Sequence, residues 1–348
     1  MVKIGIIGLG RISAKHISGI KAAGGAEIIA VCDIDTQKLM ETGDMLGIKE
    51  EYRFTDYHDL INCSEVEAVE ICTPNYLHVP MATAAAKVGK HIQVEKPLGI
   101  SKNDGIDELL EIVSTKKLVN MMNFSYRFMD AVRYAKHLVE QGKLGKLLNV
   151  NIEYLQSGVF IPGRRLEWRF VKEYAGSGTL ADLGVHLIDM TRFLIGDFVT
   201  VYAMQTTVVK ERMRLDSDEY APVKVDDITS FVAKLEGDVI ANFMVTKCAI
   251  GERNTIKYEL YGTDGVLKFN LNNPAVIDLC VGEIDKETGS LHTVNIPEIY
   301  HLEEQECFIR SINGENLPYF PDLEEGKRAQ IVVDAVLESA ETGNVIHL

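Results

Sequence analysis

The sequence predicts an α/β protein of two domains, a doubly wound parallel sheet at residues 1–123 and an α/β domain with a large, mostly antiparallel open sheet at residues 124–348. Two observations carry this prediction. Short apolar runs alternate with amphipathic stretches up to residue 123, which is typical of parallel strands joined by right-handed helical crossovers. Beyond that residue the pattern changes to successive strands separated by polar turns. A length of 348 residues agrees with two domains.

The strands of the first domain are predicted from runs rich in Val, Ile and Met, and its helices from the amphipathic stretches between them. The predicted strands are Val2–Gly8, Ile28–Asp33, Tyr52–Thr55, Ala68–Thr73, His91–Glu95 and Val119–Asn123. The predicted helices lie near residues 11–23, 35–46, 57–62, 76–89 and 102–116.

The second domain is predicted to contain an antiparallel sheet bracketed by helices. Helices are expected near residues 128–142, 178–195, 302–313 and 323–342, with a strand at Leu147–Gln156 after the first of them. Successive strands fill residues 198–296, with hairpin turns at 236–238 and 263–265. The acidic stretch at 211–227 is interpreted as a solvated loop, and the alternative is an arm that reaches a neighbouring subunit.

Composition argues against several classes of protein. The 36 basic and 51 acidic residues give a net charge of −15, and an acidic surface repels nucleic acids and anionic membranes. No apolar run is long enough for a transmembrane helix and no secretory signal is evident, so we expect a cytoplasmic protein. The six cysteines are scattered without a CxxC pair, which favours reduced thiols over disulfides or a zinc cluster. No metal, membrane or nucleic-acid partner is predicted.

A glycine-rich loop joins the first strand to the first helix. Gly8 suits the tight turn, and Gly10 leaves room for a pyrophosphate, which the helix N-terminus then attracts. Arg11 and Ile12 open the helix, and Arg11 is interpreted either as a pyrophosphate contact or as an ordinary surface arginine. Ser13 stands where this motif has its third glycine, and a small residue there still allows close packing of helix and strand.

An acidic residue ends the second strand. Asp33 lies 25 residues after Gly8, where a carboxylate accepts hydrogen bonds from both ribose hydroxyls and repels a 2′-phosphate. The sequence therefore predicts NAD rather than NADP as the cofactor. Asp35 is a less well placed candidate, and Asp33 has the alternative role of capping the next helix.

Two further clusters follow strands of the same sheet, where ligands bind in doubly wound folds. The first runs from Cys72 to His78, and the second is Glu95-Lys96-Pro97. Pro97 restricts the backbone of Lys96 to extended conformations, so the direction of the lysine side chain is fixed. A lysine held in this way is suited to proton transfer. The alternative is a structural salt bridge between Glu95 and Lys96.

A glycine-rich segment of the second domain precedes a helix that carries acid–base side chains. Asp182, His186 and Asp189 stand at i, i+4 and i+7 and therefore share one helix face. A carboxylate one turn from a histidine orients the ring and raises its basicity, which suits proton exchange with a substrate. The alternatives are an intrahelical Asp–His pair without function and a metal site, for which further ligands are not evident.

Together these motifs resemble the glucose–fructose oxidoreductase/inositol dehydrogenase family, Gfo/Idh/MocA. The resemblance rests on GxGR at the N-terminus, CTPNxxH at 72–78, EKP at 95–97 and GxGxxxDxGxHxxD at 176–189, and it spans essentially the whole chain. It implies an N-terminal Rossmann domain and an NAD(P)-dependent dehydrogenase that acts on CH–OH groups. It also implies a homodimer or homotetramer formed through the C-terminal sheet.

The resemblance further implies which residues form the active site. The implied catalytic set is Lys96, Asp182 and His186. The implied cofactor-binding residues are Gly8, Gly10, Arg11, Ile12, Asp33, Thr73, Pro74, Asn75, His78, Glu95 and Lys96. The residues implied to approach the substrate are Lys96, Asn123, Ser125, Tyr126, Trp168, Arg169, Asp182 and His186. For Trp168 the alternative is a core or interface aromatic.

We therefore expect an NAD-dependent oxidoreductase that transfers a hydride between nicotinamide and a secondary hydroxyl or ketone of a neutral sugar or cyclitol, as inositol 2-dehydrogenases do. Leu183 stands where inositol dehydrogenases of this family often have a polar residue, which argues against strict inositol specificity. One alternative is a keto-sugar, anhydro-sugar or nucleotide-sugar enzyme of the same family. The other is a non-catalytic regulator that senses NAD or sugar, and the joint presence of Lys96, Asp182 and His186 argues against it.

Overall fold

The chain divides into two compact units. The structure, a computed structural model, describes residues 1–348; the first unit comprises residues 1–124 and 302–328, and the second comprises 125–301 and 329–348. The sequence analysis assigned everything after residue 123 to the second domain and did not anticipate the return of 302–328. The return has a physical cause, because the helix at Glu304–Ile312 packs on the helix at Ser13–Ala23 and buries Cys307, Phe308 and Ile309.

Strands and helices are numbered here along the chain. The strands are β1 Val2–Ile7, β2 Ala26–Cys32, β3 Arg53–Phe54, β4 Ala68–Ile71, β5 His91–Val94, β6 Asn120–Met122, β7 Leu147–Leu155, β8 Phe198–Thr206, β9 Glu211–Met213, β10 Tyr220–Pro222, β11 Ile228–Leu235, β12 Ile240–Thr246, β13 Thr255–Gly262, β14 Gly265–Asn270, β15 Val276–Val281, β16 His292–Asn295 and β17 Ile346–His347. The helices are α1 Ser13–Ala23, α2 Thr36–Leu46, α3 Tyr57–Asn62, α4 His78–Lys87, α5 Ile106–Lys116, α6 Asp130–Glu140, α7 Lys172–Ala175, α8 Val185–Leu194, α9 Glu283–Thr288, α10 Glu304–Ile312 and α11 Leu323–Thr342.

Six parallel strands form the sheet of the first unit, in the order β3-β2-β1-β4-β5-β6. Strands β1, β4 and β5 are almost completely buried, as expected for a parallel sheet covered on both faces. The strand order reverses between β1 and β4, so the loops that follow these two strands meet at one edge of the sheet. The predicted doubly wound sheet is confirmed.

Nine strands form the sheet of the second unit, in the order β16-β15-β14-β13-β7-β12-β11-β8-β17. Its neighbouring strands pair antiparallel except β7 and β12, which are parallel. Buried and exposed residues alternate along β8, β11 and β12, so that one face is packed and the other is open. Phe231 and Phe243 stack on the packed face with ring centroids 4.1 Å apart. The predicted large, mostly antiparallel sheet is confirmed.

Two local features of the second unit differ from the sequence prediction. Residues 211–227 include the antiparallel pair β9 and β10 in place of the predicted solvated loop. The helix predicted at 178–195 begins with a π-helical turn, Leu180–Gly184, before α8 starts. π-Helical turns are frequent at functional sites, and this one carries Asp182.

None of the helices is both long and apolar enough to cross a bilayer.

Candidate active site

The two glycines of the first loop have different structural roles. Gly8 has φ of +91°, and a Cβ there would lie 2.8 Å from the Cys72 carbonyl oxygen, so the turn requires glycine. A Cβ on Gly10 would meet no atom within 4 Å. The chain itself therefore leaves open the space at Gly10, beside the N-terminal end of α1, where a pyrophosphate would lie. Ser13 is buried, and its hydroxyl donates to the Gly10 carbonyl at 2.7 Å.

The carboxylate predicted to bind ribose is anchored to this loop. Leu9 N donates to Asp33 Oδ2 at 2.6 Å, and Asp35 N donates to Oδ1 at 2.8 Å. Asp35, and not Asp33, is the N-cap of α2, because its side chain accepts from Gln37 N and Lys38 N. The capping alternative for Asp33 is therefore wrong, and Asp33 remains the carboxylate at the strand end beside the loop. Arg11 is exposed where the loop enters α1, and its contact with a pyrophosphate stays a prediction.

A buried histidine joins the two loops that follow β4 and β5. The Nδ1 atom of His78 lies 2.7 Å from the Pro97 carbonyl oxygen, and Nε2 lies 2.9 Å from that of Thr73. Burial lowers the pKa of His78. Because the ring is fully buried, His78 holds these two loops together, and its contact with a cofactor stays a prediction. The Thr73 hydroxyl is also buried and has no hydrogen-bond partner in the chain, which fits an acceptor or donor supplied by a cofactor.

The rest of the first cluster forms the turn that leads into α4. Pro74 precedes a 3₁₀ turn at Asn75–Leu77, and Asn75 is buried. Pro97 follows a cis peptide bond to Lys96. The predicted cofactor-binding residues of the first unit therefore lie on the loops after β1, β2, β4 and β5 of one parallel sheet.

Glu95 is part of a buried polar network that sequence analysis missed. His16, at 1 % side-chain exposure, places Nε2 2.7 Å from Glu95 Oε1 and Nδ1 3.1 Å from Glu70 Oε1. Gln305, on the returning helix α10, contacts His16 Nδ1 at 2.8 Å. The second oxygen of Glu95 accepts from the backbone N–H of Lys96 at 3.2 Å. The Glu95 carboxylate thus connects the imidazole on α1 with the backbone of the predicted catalytic lysine.

Burial and charge act against each other in this network. Burial alone would lower the pKa of His16, but Glu70 and Glu95 outweigh it and raise that pKa to about 9. Burial would raise the pKa of Glu95, yet the hydrogen bond and charge of His16 lower it to about 2. For Glu70 and Glu304 burial dominates and raises their pKa values to about 6 and about 7. Glu95 and His16 therefore form an ion pair. The neighbouring carboxyl groups of Glu70 and Glu304 keep their protons to a higher pH than Glu95 does.

The same network engages Asn123. Its side chain is 2 % exposed, its Nδ2 donates to Glu70 at 2.8 Å, and its Oδ1 accepts from Gln93 at 2.6 Å. Sequence analysis predicted that Asn123 approaches the substrate. In the structure its side-chain amide is hydrogen-bonded to Glu70 and Gln93 within the first unit, and a contact with substrate stays a prediction.

Three side chains of this network are of the types that can bind a metal ion. The ligand atoms of His16, Glu70 and Cys72 lie within 4.8 Å of one another. His16 makes its contacts there as part of the ion pair with Glu95.

The turn that precedes Asp182 is held by another aspartate, Asp226, from the loop that precedes β11. Gly178 N donates to Asp226 Oδ1 at 2.7 Å, and Leu180 N donates to Oδ2 at 2.8 Å. The Thr229 hydroxyl donates to the same Oδ2 at 2.7 Å. A Cβ on Gly178 would lie 2.1 Å from the Asp226 carbonyl oxygen, so glycine is required by this close approach. Asp226 acts as an N-terminal cap supplied from outside the helix.

Asp182 and His186 lie at the start of this helical segment. Asp182 Oδ2 lies 2.7 Å from Lys247 Nζ, and 31 % of the Asp182 side chain is exposed. His186 is buried, and the ring of Tyr126 meets it edge-on with centroids 4.6 Å apart. Asp189, on the same predicted face, forms a two-oxygen ion pair with Arg127 at 2.8 and 2.9 Å. This pair anchors the 3₁₀ turn at Ser125–Phe128, which carries Ser125 and Tyr126.

A chain of neutral polar groups extends from Tyr126. Its hydroxyl lies 2.7 Å from that of Tyr154, and Tyr154 donates to Asn254 Oδ1 at 2.8 Å. Gln156 Nε2 donates to the same oxygen at 2.7 Å. Burial, and then Tyr126, raise the pKa of Tyr154, so the phenol stays neutral. Sequence analysis did not assign Tyr154, Gln156 and Asn254 to the site. The one feature of the sequence that pointed to this place was the end of the predicted strand Leu147–Gln156.

The aromatic segment before α7 forms a further 3₁₀ turn, Trp168–Phe170. The Arg169 guanidinium lies over the Trp168 ring, 4.3 Å from its centroid. Both residues are half-buried, and their contact with a substrate stays a prediction. The predicted catalytic residues are divided between the units, with Lys96 in the first and Asp182 and His186 in the second.

Comparison with known proteins agrees with this architecture. Residues 2–124 match the oxidoreductase family with an NAD-binding Rossmann fold, and residues 132–268 match the GFO/IDH/MocA C-terminal domain. The chain is 30 % identical to levoglucosan dehydrogenase of Pseudarthrobacter phenanthrenivorans over 82 % of this chain and 81 % of that protein. It is 31 % identical to glucose-6-phosphate 3-dehydrogenase of Bacillus subtilis over 81 % of this chain and 78 % of that protein. The solved structure of levoglucosan dehydrogenase with NADH superposes with a TM-score of 0.91 at 28 % identity, covering 99 % of this chain and 98 % of that one.

The parallel sheet, the open glycine loop and the strand-end carboxylate define an NAD-dependent oxidoreductase. Its N- and C-terminal domains both match one family. The chain belongs to the Gfo/Idh/MocA oxidoreductases. The fold class, the family, the cofactor NAD and the enzyme class predicted from the sequence are thereby confirmed.

Proposed function

We propose that this enzyme oxidises a secondary hydroxyl of a neutral, unphosphorylated sugar, with an anhydro-sugar as the preferred class, and passes the hydride to NAD. The observation that carries the proposal is the likeness to levoglucosan dehydrogenase with NADH and levoglucosan. It extends over 99 % of both chains with a TM-score of 0.90 and 28 % identity.

The polar groups near His186 support a neutral, hydroxyl-rich ligand. Tyr126, Tyr154, Gln156 and Asn254 offer phenol and amide groups that both donate and accept hydrogen bonds. Such groups discriminate strongly against a ligand that lacks a matching hydroxyl. A net charge of −15 also disfavours a phosphorylated sugar.

Two arginines that precede the Trp168 turn are engaged with carboxylates. Arg164 pairs with Glu167 at 3.2 Å, and Arg165 pairs with Asp218 at 3.3 Å. Their charges are therefore compensated within the second unit, which gives further support to a substrate without a phosphate group.

Inositol is a second candidate substrate. Leu183 is only 3 % exposed and packs inside the chain, and its effect on inositol specificity stays a prediction. Inositol therefore belongs in the panel of candidate substrates. A Thermotoga maritima myo-inositol 2-dehydrogenase is 25 % identical over 100 % of this chain and 98 % of that protein.

The proposed chemistry assigns one role to each residue of the catalytic set. His186 accepts the proton of the reacting hydroxyl, and Asp182 orients the His186 imidazole that receives this proton. The Lys96 ammonium stabilises the negative charge that develops on the oxygen as the carbonyl forms. NAD, when bound, supplies the acceptor for the hydride that leaves the carbon. Loss of a positioned acid–base group of this kind costs about 10²–10⁴ in rate.

The test is a panel of sugars assayed for reduction of NAD and of NADP. We expect turnover with levoglucosan above that with myo-inositol, glucose and glucose 6-phosphate, and only in the presence of NAD. His186→Ala and Lys96→Ala should lose about 10²-fold or more in kcat. Turnover of a phosphorylated sugar alone would overturn the proposed substrate class. NAD binding without turnover of any sugar would instead favour the non-catalytic sensor.

Assembly and compartment complete the proposal. Tyr202, Met204, Val232 and Met244 are exposed on the open face of the second sheet, where Val232 lies opposite Tyr202. We propose that this face pairs with a second copy to form a homodimer or homotetramer, because single exposed apolar residues are common but contiguous ones mark interfaces. Val232→Glu should then shift the mass measured by light scattering to that of the monomer. None of the six cysteines forms a disulfide, which favours a reducing compartment such as the cytoplasm.

A further inference from the structure

We infer that Lys247 is a positioning residue of the active site, which holds the Asp182 carboxylate in its working orientation. This inference rests on the proposed function, because it assumes that Asp182 takes part in catalysis. Lys247 lies outside all of the sequence motifs, because it follows strand β12 and is far along the chain from Asp182.

The backbone of Lys247 is fixed on both sides. Its N–H donates to the Asp227 carbonyl oxygen at 3.0 Å, and its carbonyl oxygen accepts from Val159 N at 3.1 Å. The residue follows the end of β12, one of the central strands of the second sheet. Its side chain therefore starts from a rigid point, and its direction is set by the sheet and not by a mobile loop.

The side chain ends on the proposed catalytic carboxylate. Lys247 Nζ lies 2.7 Å from Asp182 Oδ2, and the lysine side chain is 8 % exposed while that of Asp182 is 31 % exposed. The ammonium thus approaches Asp182 from the buried side. The exposed part of the carboxylate stays accessible to a ligand while one oxygen is held from behind.

Burial distinguishes this pair from the ion pairs at the surface. A buried lysine is rarely found without a partner, because desolvation of the ammonium is costly. A buried ion pair adds little to stability compared with an apolar side chain of similar size. Stability alone therefore does not explain the lysine, whereas control of the charge and direction of Asp182 does.

The test compares Lys247→Met, Lys247→Arg and a matched control. Lys234 also pairs with an aspartate, Asp238, at 2.6 Å, but its side chain is 46 % exposed, so Lys234→Met removes an ordinary surface pair. We expect Lys247→Met to stay folded, because the Asp182 carboxylate that loses its partner is 31 % exposed to solvent, and to lower kcat about 10- to 100-fold, with KM for NAD unchanged. Lys247→Arg, which keeps the charge, should recover at least part of the lost kcat, and Lys234→Met should match the parent. The probe is levoglucosan with saturating NAD, or the panel sugar with the highest kcat/KM.

A double-mutant cycle separates positioning from a general structural effect. If Lys247 acts through Asp182, then Lys247→Met should change kcat less than about 3-fold in the background of Asp182→Asn. A folded Lys247→Met enzyme with the parent kcat would overturn the inference, as would equal losses with and without Asp182. If Asp182→Asn itself keeps the parent turnover, the catalytic set of the proposed function fails, and that result is distinct from failure of Lys247 alone.

Discussion

Two alanine substitutions in the glycine loop separate the needs of the fold from the needs of the cofactor. In Gly8→Ala the new side chain must adopt a φ of +91°, which costs about 1–2 kcal/mol. Its Cβ would also lie 2.8 Å from the Cys72 carbonyl oxygen and 2.9 Å from the carbonyl carbon, backbone atoms that cannot rotate away. Overlap of this kind adds about 1–3 kcal/mol. Gly8→Ala should therefore lower the free energy of unfolding by about 2–5 kcal/mol.

Gly10→Ala is the matched control with the opposite outcome. Its Cβ meets no atom within 4 Å, and its backbone lies outside the left-handed region, so the fold accepts it. A compatible Gly→Ala change stabilises a protein by about 0.4–1 kcal/mol through the unfolded state. The same Cβ would occupy the space assigned to the pyrophosphate, and we expect the Kd for NADH to rise about 10- to 100-fold, equivalent to about 1.4–2.7 kcal/mol.

The two effects are measured independently, by urea unfolding without cofactor and by calorimetric titration with NADH. The reasoning predicts a crossed pattern, with Gly8→Ala unstable and Gly10→Ala stable but weak in binding. If Gly10→Ala binds NADH as tightly as the parent, the pyrophosphate does not lie at Gly10. If Gly8→Ala unfolds at the parent urea concentration, the strain assigned to the turn is wrong.

Charged residues that hold the motifs in place give three further tests. Asp33→Asn keeps an acceptor for Leu9 N but loses the charge, so kcat/KM should fall about 10-fold with NAD and not with NADP; equal losses with both would contradict ribose recognition. Asp226→Asn places an amide group against backbone N–H donors and should cost about 1–3 kcal/mol of unfolding free energy; an unchanged urea midpoint would refute the capping role. The pKa of His16 is about 9 in the folded chain against 6.5 ordinarily, because Glu70 and Glu95 outweigh the effect of burial. Its stabilisation is therefore complete below pH 6.5 and is lost as the pH rises through 9, by at most about 3 kcal/mol. Urea unfolding at pH 6.5 and 9.5 should show a smaller decline in His16→Gln than in the parent, and equal declines would count against the ion pair.

The chain order of the elements could be predicted because it depends on local patterns. Apolar runs, glycines and alternation fix strands such as β1 and β4, and the motifs at 8–13, 72–78, 95–97 and 176–189 lie next to one another in the sequence. The return of α10 could not be predicted in this way. Its amphipathic pattern shows that one face is buried, but the pattern carries no information about which helix covers that face.

The surroundings of a residue could not be predicted where its side chain had two plausible environments. Asn123 follows a strand of the first sheet, so a substrate contact and a buried amide both fit its position. Only the structure shows that Glu70 and Gln93 use that amide. Leu183 is a second example, because its neighbours in sequence are catalytic candidates while its own side chain is buried.

The residues that sequence analysis missed share one physical origin. Functional side chains at strand ends and helix starts leave backbone amides and carboxylates without partners from regular structure, and buried polar groups need partners. Those partners come from distant segments: His16 for Glu95, Asp226 for Gly178 and Leu180, and Lys247 for Asp182. Each partner touches a motif but is not itself part of the chemistry, so its loss should displace reactive groups while the fold remains. A displacement of about 1 Å at reacting atoms costs about 10²-fold in rate. For Lys247, loss of kcat in an enzyme that stays folded is therefore the signature that distinguishes a positioning residue from a residue of the core, whereas Asp226 and His16 also stabilise the fold.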